Sequence, residues 1–207
     1  MNHYAITITR QFGSLGRPIA RSLAERLGIE YYDRDIVESV AQKTGLSVHT
    51  ISNEEESAKN RFWKMKFPLG SPDTNIIQDQ IFEVQKHIIQ DLAQKENCII
   101  VGRCSDYVLK DYENGIHIYI YASYEQRMKN CVNTLHLEPQ TAQKMIKDVD
   151  KAREAYHVKY AGYFPNDENH HDIMIDSGFL GVEGTAEVLE DIVRKKLKIG
   201  NNPDMTD

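Results

Sequence analysis

The stretch Ala5-Ile6-Thr7-Ile8-Thr9-Arg10-Gln11-Phe12-Gly13-Ser14-Leu15-Gly16-Arg17-Pro18 decides the fold of this chain. Residues 5–9 are apolar and β-branched, which predicts a strand. Two glycines in the next seven residues predict a loop over 10–16. From Arg17 onward Ile19, Ala20, Leu23, Ala24 and Leu27 recur at helical spacing, and Gly28 closes that helix. A strand, a glycine loop and a helix in this order make a cradle for an anion. Glycines let backbone N–H groups turn inward, and the helix adds its positive end. Gly13 and Gly16 meet the first need, Arg17 adds a cation, and Pro18 is tolerated in a first helical turn. Gly13, Ser14, Leu15, Gly16 and Arg17 are therefore candidate phosphate ligands; the alternative is a plain glycine turn with no ligand.

Against the pattern G-x-x-x-x-G-K-[ST], Gly16 takes the second glycine and Gln11 stands at the first. Arg17 replaces the lysine and Pro18 the hydroxyl residue that would meet magnesium. Ser14 is the candidate substitute for that hydroxyl.

Outward from this unit, Ile29 to Tyr32 predicts a second strand ending at Asp33. Helical readings follow over 34–44 and 46–66, then a breaker at Phe67 to Pro72, then a long helix over 74–95 with Ile77, Ile81, Val84, Ile88 and Leu92 on one face. Cys98-Ile99-Ile100-Val101 is a continuous apolar run, as in a strand buried on both faces. Ile116 to Ala122 predicts a strand, and Ser123 a cap for the helix after it. Pro139 to Tyr160 reads as a charged helix, Asp172 to Asp176 as a last strand, and Thr185 to Leu197 as a last helix. The polar tail from Gly200 is expected to be disordered.

Alternation of strands and helices predicts an α/β domain over 1–199: a mostly parallel sheet in three layers, with helices on both faces. In such sheets ligands sit at the carboxyl ends of the strands. Segments 10–17, 33–35, 102–106 and 122–127 all fall there.

Composition excludes several classes. A net charge of -6 argues against a nucleic-acid polymer as partner. No apolar stretch approaches the ~20 residues of a membrane span, and residues 1–4 show no signal-peptide pattern. Three cysteines without paired spacing give neither a disulfide framework nor a zinc pattern, so reduced thiols in the cytoplasm are expected.

Taken together these segments resemble the cytidylate kinase-like family, a branch of the nucleoside monophosphate kinases. The resemblance runs from Ile6 to about Leu197, and Ile8 to Arg17 resembles the branch's own "S-R-[EQ]-x-G-S-x-G-R" loop. Tyr31-Tyr32-Asp33-Arg34-Asp35-Ile36 resembles the stretch after its first helix. Val101-Gly102-Arg103 is similar to the "D-G-R-D" turn, Ile118 to Arg127 to "I-F-L-D-A-S-x-E-x-R", and Asp150-Lys151-Ala152-Arg153 to the lid's "D-R-D-R". His171 to Ser177 resembles the strand leading into "I-D-S".

The resemblance implies a P-loop kinase with a helical insert at about 46–95 and a lid at about 128–160. It implies ATP and Mg2+, and a small nucleotide acceptor such as CMP. It makes Arg17, Arg127 and Arg153 the catalytic cations, and Asp33, Arg34, Arg103 and Asp150 the acceptor site. Ser14 or Asp33 is left for the metal. The chain departs from the pattern where Val101 and Cys104 replace the acids flanking Gly-Arg, and where Tyr121 replaces an acid. Those losses bear on magnesium handling and on cytidine preference, not on the fold.

Each candidate has a structural alternative. Asp33 can cap the helix beginning near Arg34, Arg103 and Arg127 can pair with nearby acids, and Asp150 and Arg153 can form a solvated helix face. Two other functions stay open: a nucleotide-binding module without turnover, and a kinase for another small metabolite whose pocket the insert would build. The insert helices could also pair two copies as a homodimer.

Overall fold

A computed structural model of the chain describes residues 3–33 and 72–200. Its sheet has five parallel strands in the order β2-β3-β1-β4-β5: β1 Ala5–Arg10, β2 Glu30–Tyr32, β3 Cys98–Val101, β4 Gly115–Tyr121 and β5 Ile173–Asp176. Helices α1 Gly16–Leu27, α2 Pro72–Lys95, α3 Ser105–Val108, α4 Tyr124–Asn133, α5 Pro139–Ala161 and α6 Ser177–Leu197 connect and cover them.

Side-chain alternation along the strands builds a separate core on each face. Ile6 and Ile8 of β1, Ile99 and Val101 of β3, and Ile118 and Ile120 of β4 meet Ile19, Leu23 and Leu189 from α1 and α6. Ala5, Cys98 and Ile100 turn the other way, onto Ile88, Ile89 and Ala93 of α2. Truncating a wholly buried side chain such as Ile8 or Leu23 to Ala costs about 2–5 kcal/mol. A third cluster of Phe12, Cys131, Ala142, Ile146 and Val149 lies between the glycine loop and the α4–α5 pair.

The expected three-layer parallel architecture is present, with differences at element ends. The last helix begins at Ser177, not Thr185. The Asp176 carboxylate accepts the Gly178 N–H at 2.8 Å, so a turn starts as β5 ends. Gly181 (φ 69, ψ -167) then kinks the helix. Strand β1 reaches Arg10, which pairs in register with Ile120. Ser105–Val108 forms a short helix where none is predicted, after three successive residues of positive φ, Gly102, Arg103 and Cys104. The helices expected at 34–44 and 46–66 lie outside the described residues, as do Arg34, Asp35 and the tail beyond Gly200. No helix among the described residues is long and apolar enough to cross a membrane.

Candidate phosphate-binding site

Parallel strands deliver the loops after β1, β2, β3 and β4 to one edge of the sheet, and the loop over 11–15 is the best braced of them. Five successive carbonyls accept bonds from protein groups. Gln11 O takes the Ser14 hydroxyl at 2.9 Å, and Phe12 O takes Arg127 Nη1 at 3.3 Å. Gly13 O takes Asn130 Nδ2 at 2.8 Å, Ser14 O takes the Ser177 hydroxyl at 2.7 Å, and Leu15 O takes the Ile19 N–H at 3.1 Å. A loop whose oxygens are turned into the framework offers the opposite, N–H edge of its peptides. At the start of α1 those N–H groups have no intrahelical acceptor. Gly13 (φ 79) and Leu15 (φ 56) are left-handed, and such conformations let successive N–H groups converge.

Asp150 holds the loop from α5. Its Oδ1 accepts the Phe12 N–H at 2.7 Å, while Oδ2 pairs with Arg127 Nη1. Arg153, one turn further on, donates to Arg10 O at 3.1 Å and sits over the Phe12 ring, 5.9 Å from its centroid. Burial lowers its pKa to about 10; Asp150 opposes that shift and Arg17 adds to it. Arg17 projects from α1, with its side chain 46% exposed and Nε 3.6 Å from Asp33 Oδ2. Asp33 is buried and also accepts the Tyr31 hydroxyl at 3.3 Å. Arg103 follows Gly102 in left-handed conformation, with its guanidinium over the Tyr156 ring at 5.9 Å.

The structure thus brings Gly13, Ser14, Leu15, Gly16, Arg17, Asp33, Arg103, Arg127, Asp150 and Arg153 to one edge; of the expected residues, Arg34 alone lies outside what is described. Three pieces were not foreseen. Arg10, quoted only as part of the loop motif, runs beneath the loop. Its Cβ and Cγ occupy the space of a side chain at Gly16, and its tip the space of one at Gly102. The second piece is a buried polar group behind Arg103. There Asp106 meets His157 Nε2 at 3.0 Å, the Tyr163 hydroxyl at 2.9 Å and Thr9 at 3.4 Å. The third is an aromatic wall of Phe82, Tyr156 and Tyr160, with Phe82 and Tyr160 stacked at 4.0 Å. Cys104, beside Arg103, is an inert thiol, since burial and Asp106 push its pKa up.

The candidate donors for a magnesium ion already have partners. Ser14 is wholly buried, and its hydroxyl is committed to Gln11 O. Asp33 already meets Tyr31 and Arg17. Pro18, Val101 and Tyr121 offer no alcohol or carboxylate oxygen. Among the described residues no group of three or more His, Cys, Asp or Glu could hold a metal. The described donors therefore do not make a dedicated magnesium site. Among the described residues the edge carries Arg10, Arg17, Arg103, Arg127 and Arg153 against Asp33, Asp106 and Asp150. Guanidiniums gathered around a loop that offers backbone N–H groups suit a polyphosphate.

Comparison with known proteins agrees with this geometry. No curated protein matches the chain in sequence. An uncharacterized protein from Eubacterium ventriosum ATCC 27560 superposes with a TM-score of 0.71 at 26% identity, covering 93% of this chain and 99% of that one. Shikimate kinase from Bacteroides thetaiotaomicron shares the fold, with a TM-score of 0.54 at 11% identity over 95% of this chain and 99% of that one. The model of the cytidylate kinase-like family matches residues 5–178. With its parallel P-loop kinase sheet and its arginine-bearing loop, the chain belongs to the cytidylate kinase-like family.

Proposed function

We propose that this chain transfers the γ-phosphoryl group of ATP to a small anionic acceptor, for which a nucleoside monophosphate such as CMP is the first candidate. The supporting observation is the loop whose five carbonyls, Gln11 to Leu15, are bonded into the framework at the sheet edge that also carries Arg17, Arg103 and Arg153. Backbone N–H groups of residues 13–17 hold the β-phosphate, and Arg17 bridges β and γ. Arg103 takes the acceptor's phosphate, and Asp33 and Arg34 are assigned to acceptor binding with it. Arg153 closes over the moving group from α5. Arg127 and Asp150 act one step back by fixing the loop, because each already bonds the Phe12 peptide.

In the reaction an acceptor phosphate oxygen attacks the γ-phosphorus as the bond to the β-bridging oxygen breaks, and ADP leaves. An anionic acceptor brings its own electron pair, so no side chain serves as a strong base. In-line placement and cationic surroundings carry the rate. Magnesium, when it accompanies ATP, supplies charge neutralisation; the steps assigned here belong to the chain's own residues.

The test is ADP release from ATP and magnesium against CMP, dCMP, UMP, AMP and GMP. Turnover on one or two of these supports the reading and names the acceptor. ATP binding with silence on all five would sink the monophosphate assignment. It would favour a nucleotide-binding module without turnover, or a kinase of another metabolite. The departures at Pro18, Val101 and Tyr121 are the observation behind those alternatives.

A further inference from the structure

Arg10 is the one arginine at this edge that no role has yet absorbed. It leaves the end of β1, the central strand, and travels sideways beneath the glycine loop toward β3. Two glycines make room for it. A Cβ at Gly16 would lie 2.8 and 2.9 Å from Arg10 Cβ and Cγ, and a Cβ at Gly102 would collide with Arg10 Nη1. The guanidinium is thus seated between the loop that cradles one phosphate and the Gly102–Arg103 turn proposed for the other. Its Nε is out of solvent with no hydrogen-bond partner among the described residues. Among those residues the arginine ion pairs at the edge are Asp33 with Arg17 and Asp150 with Arg127. Burial holds its pKa well below the usual range, and Arg153, Arg17 and Arg103 push it the same way; only Tyr31 opposes them. A half-buried cation with its Nε shielded from water, set among other cations, is costly for the ligand-free protein unless an anion arrives with the ligand.

We propose that Arg10 is a ligand of the transferring phosphoryl group, a fixed guanidinium between the glycine loop and the Gly102–Arg103 turn that supplies positive charge where the described donors build no magnesium site. This rests on the phosphoryl-transfer reading and deepens it. Arg10 changes neither its protonation nor its bonding in the reaction; it accompanies charge as the γ-phosphorus passes from the β-bridging oxygen to the acceptor.

The experiment compares wild type, Arg10→Met and Arg10→Lys by thermal melting and by titration calorimetry with ATP and with ADP, each with magnesium and in EDTA. A lost charge-assisted contact corresponds to about a 10–100-fold loss of ATP affinity in Arg10→Met. ADP affinity should stay within about threefold, since ADP lacks the group Arg10 meets. The ligand-free Met variant should melt at or above wild type, because a half-buried charge with no ion pair among the described residues is gone. Arg10→Lys should keep the fold and lose part of the ATP preference. Wild type should retain its ATP preference over ADP in EDTA. An unchanged ATP-to-ADP ratio in either variant overturns the proposal. So does a Met variant that is insoluble or melts well below wild type, which would make Arg10 a structural prop. Loss of the wild-type preference in EDTA overturns it as well. Wild type binding neither nucleotide would instead sink phosphoryl transfer itself, a result distinct from these.

Discussion

Asp150 joins α5 to the glycine loop directly at the Phe12 N–H and indirectly through Arg127 of α4, and removing it should loosen both fold and site. Its side chain is 28% exposed and that of Arg127 12%, so the pair is largely shielded. Asp150→Ala deletes the acceptor of the Phe12 N–H and leaves Arg127 without its carboxylate. Hydrogen bonds to charged groups contribute about 1.5–3 kcal/mol each, and partial exposure points to the lower end, so roughly 3 kcal/mol in total. For a chain of this size that lowers Tm by about 6–12 °C. Asp150→Asn keeps an oxygen for Phe12 but loses the charge, which should cost about half as much. Calorimetric melts of both variants, of Arg127→Met and of Asp150→Ala/Arg127→Met complete a cycle whose coupling should exceed about 1 kcal/mol. A loss under about 0.5 kcal/mol for Asp150→Ala, or no coupling, would refute the view that this pair fixes the loop.

Gly13→Ala should cost more than about 2 kcal/mol, because φ is 79 there and a Cβ would lie 2.9 Å from Cys131 Sγ and 3.0 Å from Arg127 O. A urea melt matching wild type would contradict the loop geometry. Arg17→Ala should weaken ATP binding or abolish transfer with little change in Tm; unchanged affinity and turnover would remove Arg17 from the site. Arg103→Ala should raise the KM for the acceptor more than that for ATP, whereas equal losses would make it structural. Burial lowers the pKa of His157 and His117 below the usual histidine value; Asp106 at His157, and Asp172 with Asp106 at His117, offset this only in part. The unfolded chain then binds more protons just below the ordinary histidine pKa, about 6.5, so stability should drop as pH falls from 7.5 toward 5.5. A flat Tm over that interval would contradict this assignment.

The elements legible in the sequence are those whose periodicity matches a single packing surface. Ile19, Ala20, Leu23 and Ala24 mark α1 because they meet one sheet face, and Cys98 to Val101 mark β3 because both sides of it are covered. The start of α6 was hidden by Gly178, Gly181 and Gly184, which read as loop until the Asp176 cap and the Gly181 kink are seen. Loop and arginines could be placed at one edge from element order alone. Which arginine pairs with which acid could not, since Arg127 and Asp150 meet across 23 positions and from two different helices. Arg10 carried one readable signal, a charge set between a buried strand and a glycine turn. Its course became visible only through the two glycines it fills.

The packing of α6 against α1 sets an order of events during synthesis. Helix α1 leaves the ribosome early; the strands cover one side of Ile19 and Leu23, and Leu189 and Val193 complete their burial only when α6 emerges. The same late segment carries Ser177, whose hydroxyl holds the Ser14 carbonyl. Until then the nascent chain has an incompletely covered helix and a loop lacking one of its carbonyl bonds. Chains that stall before residue 177 should be recognised by holdases and proteases.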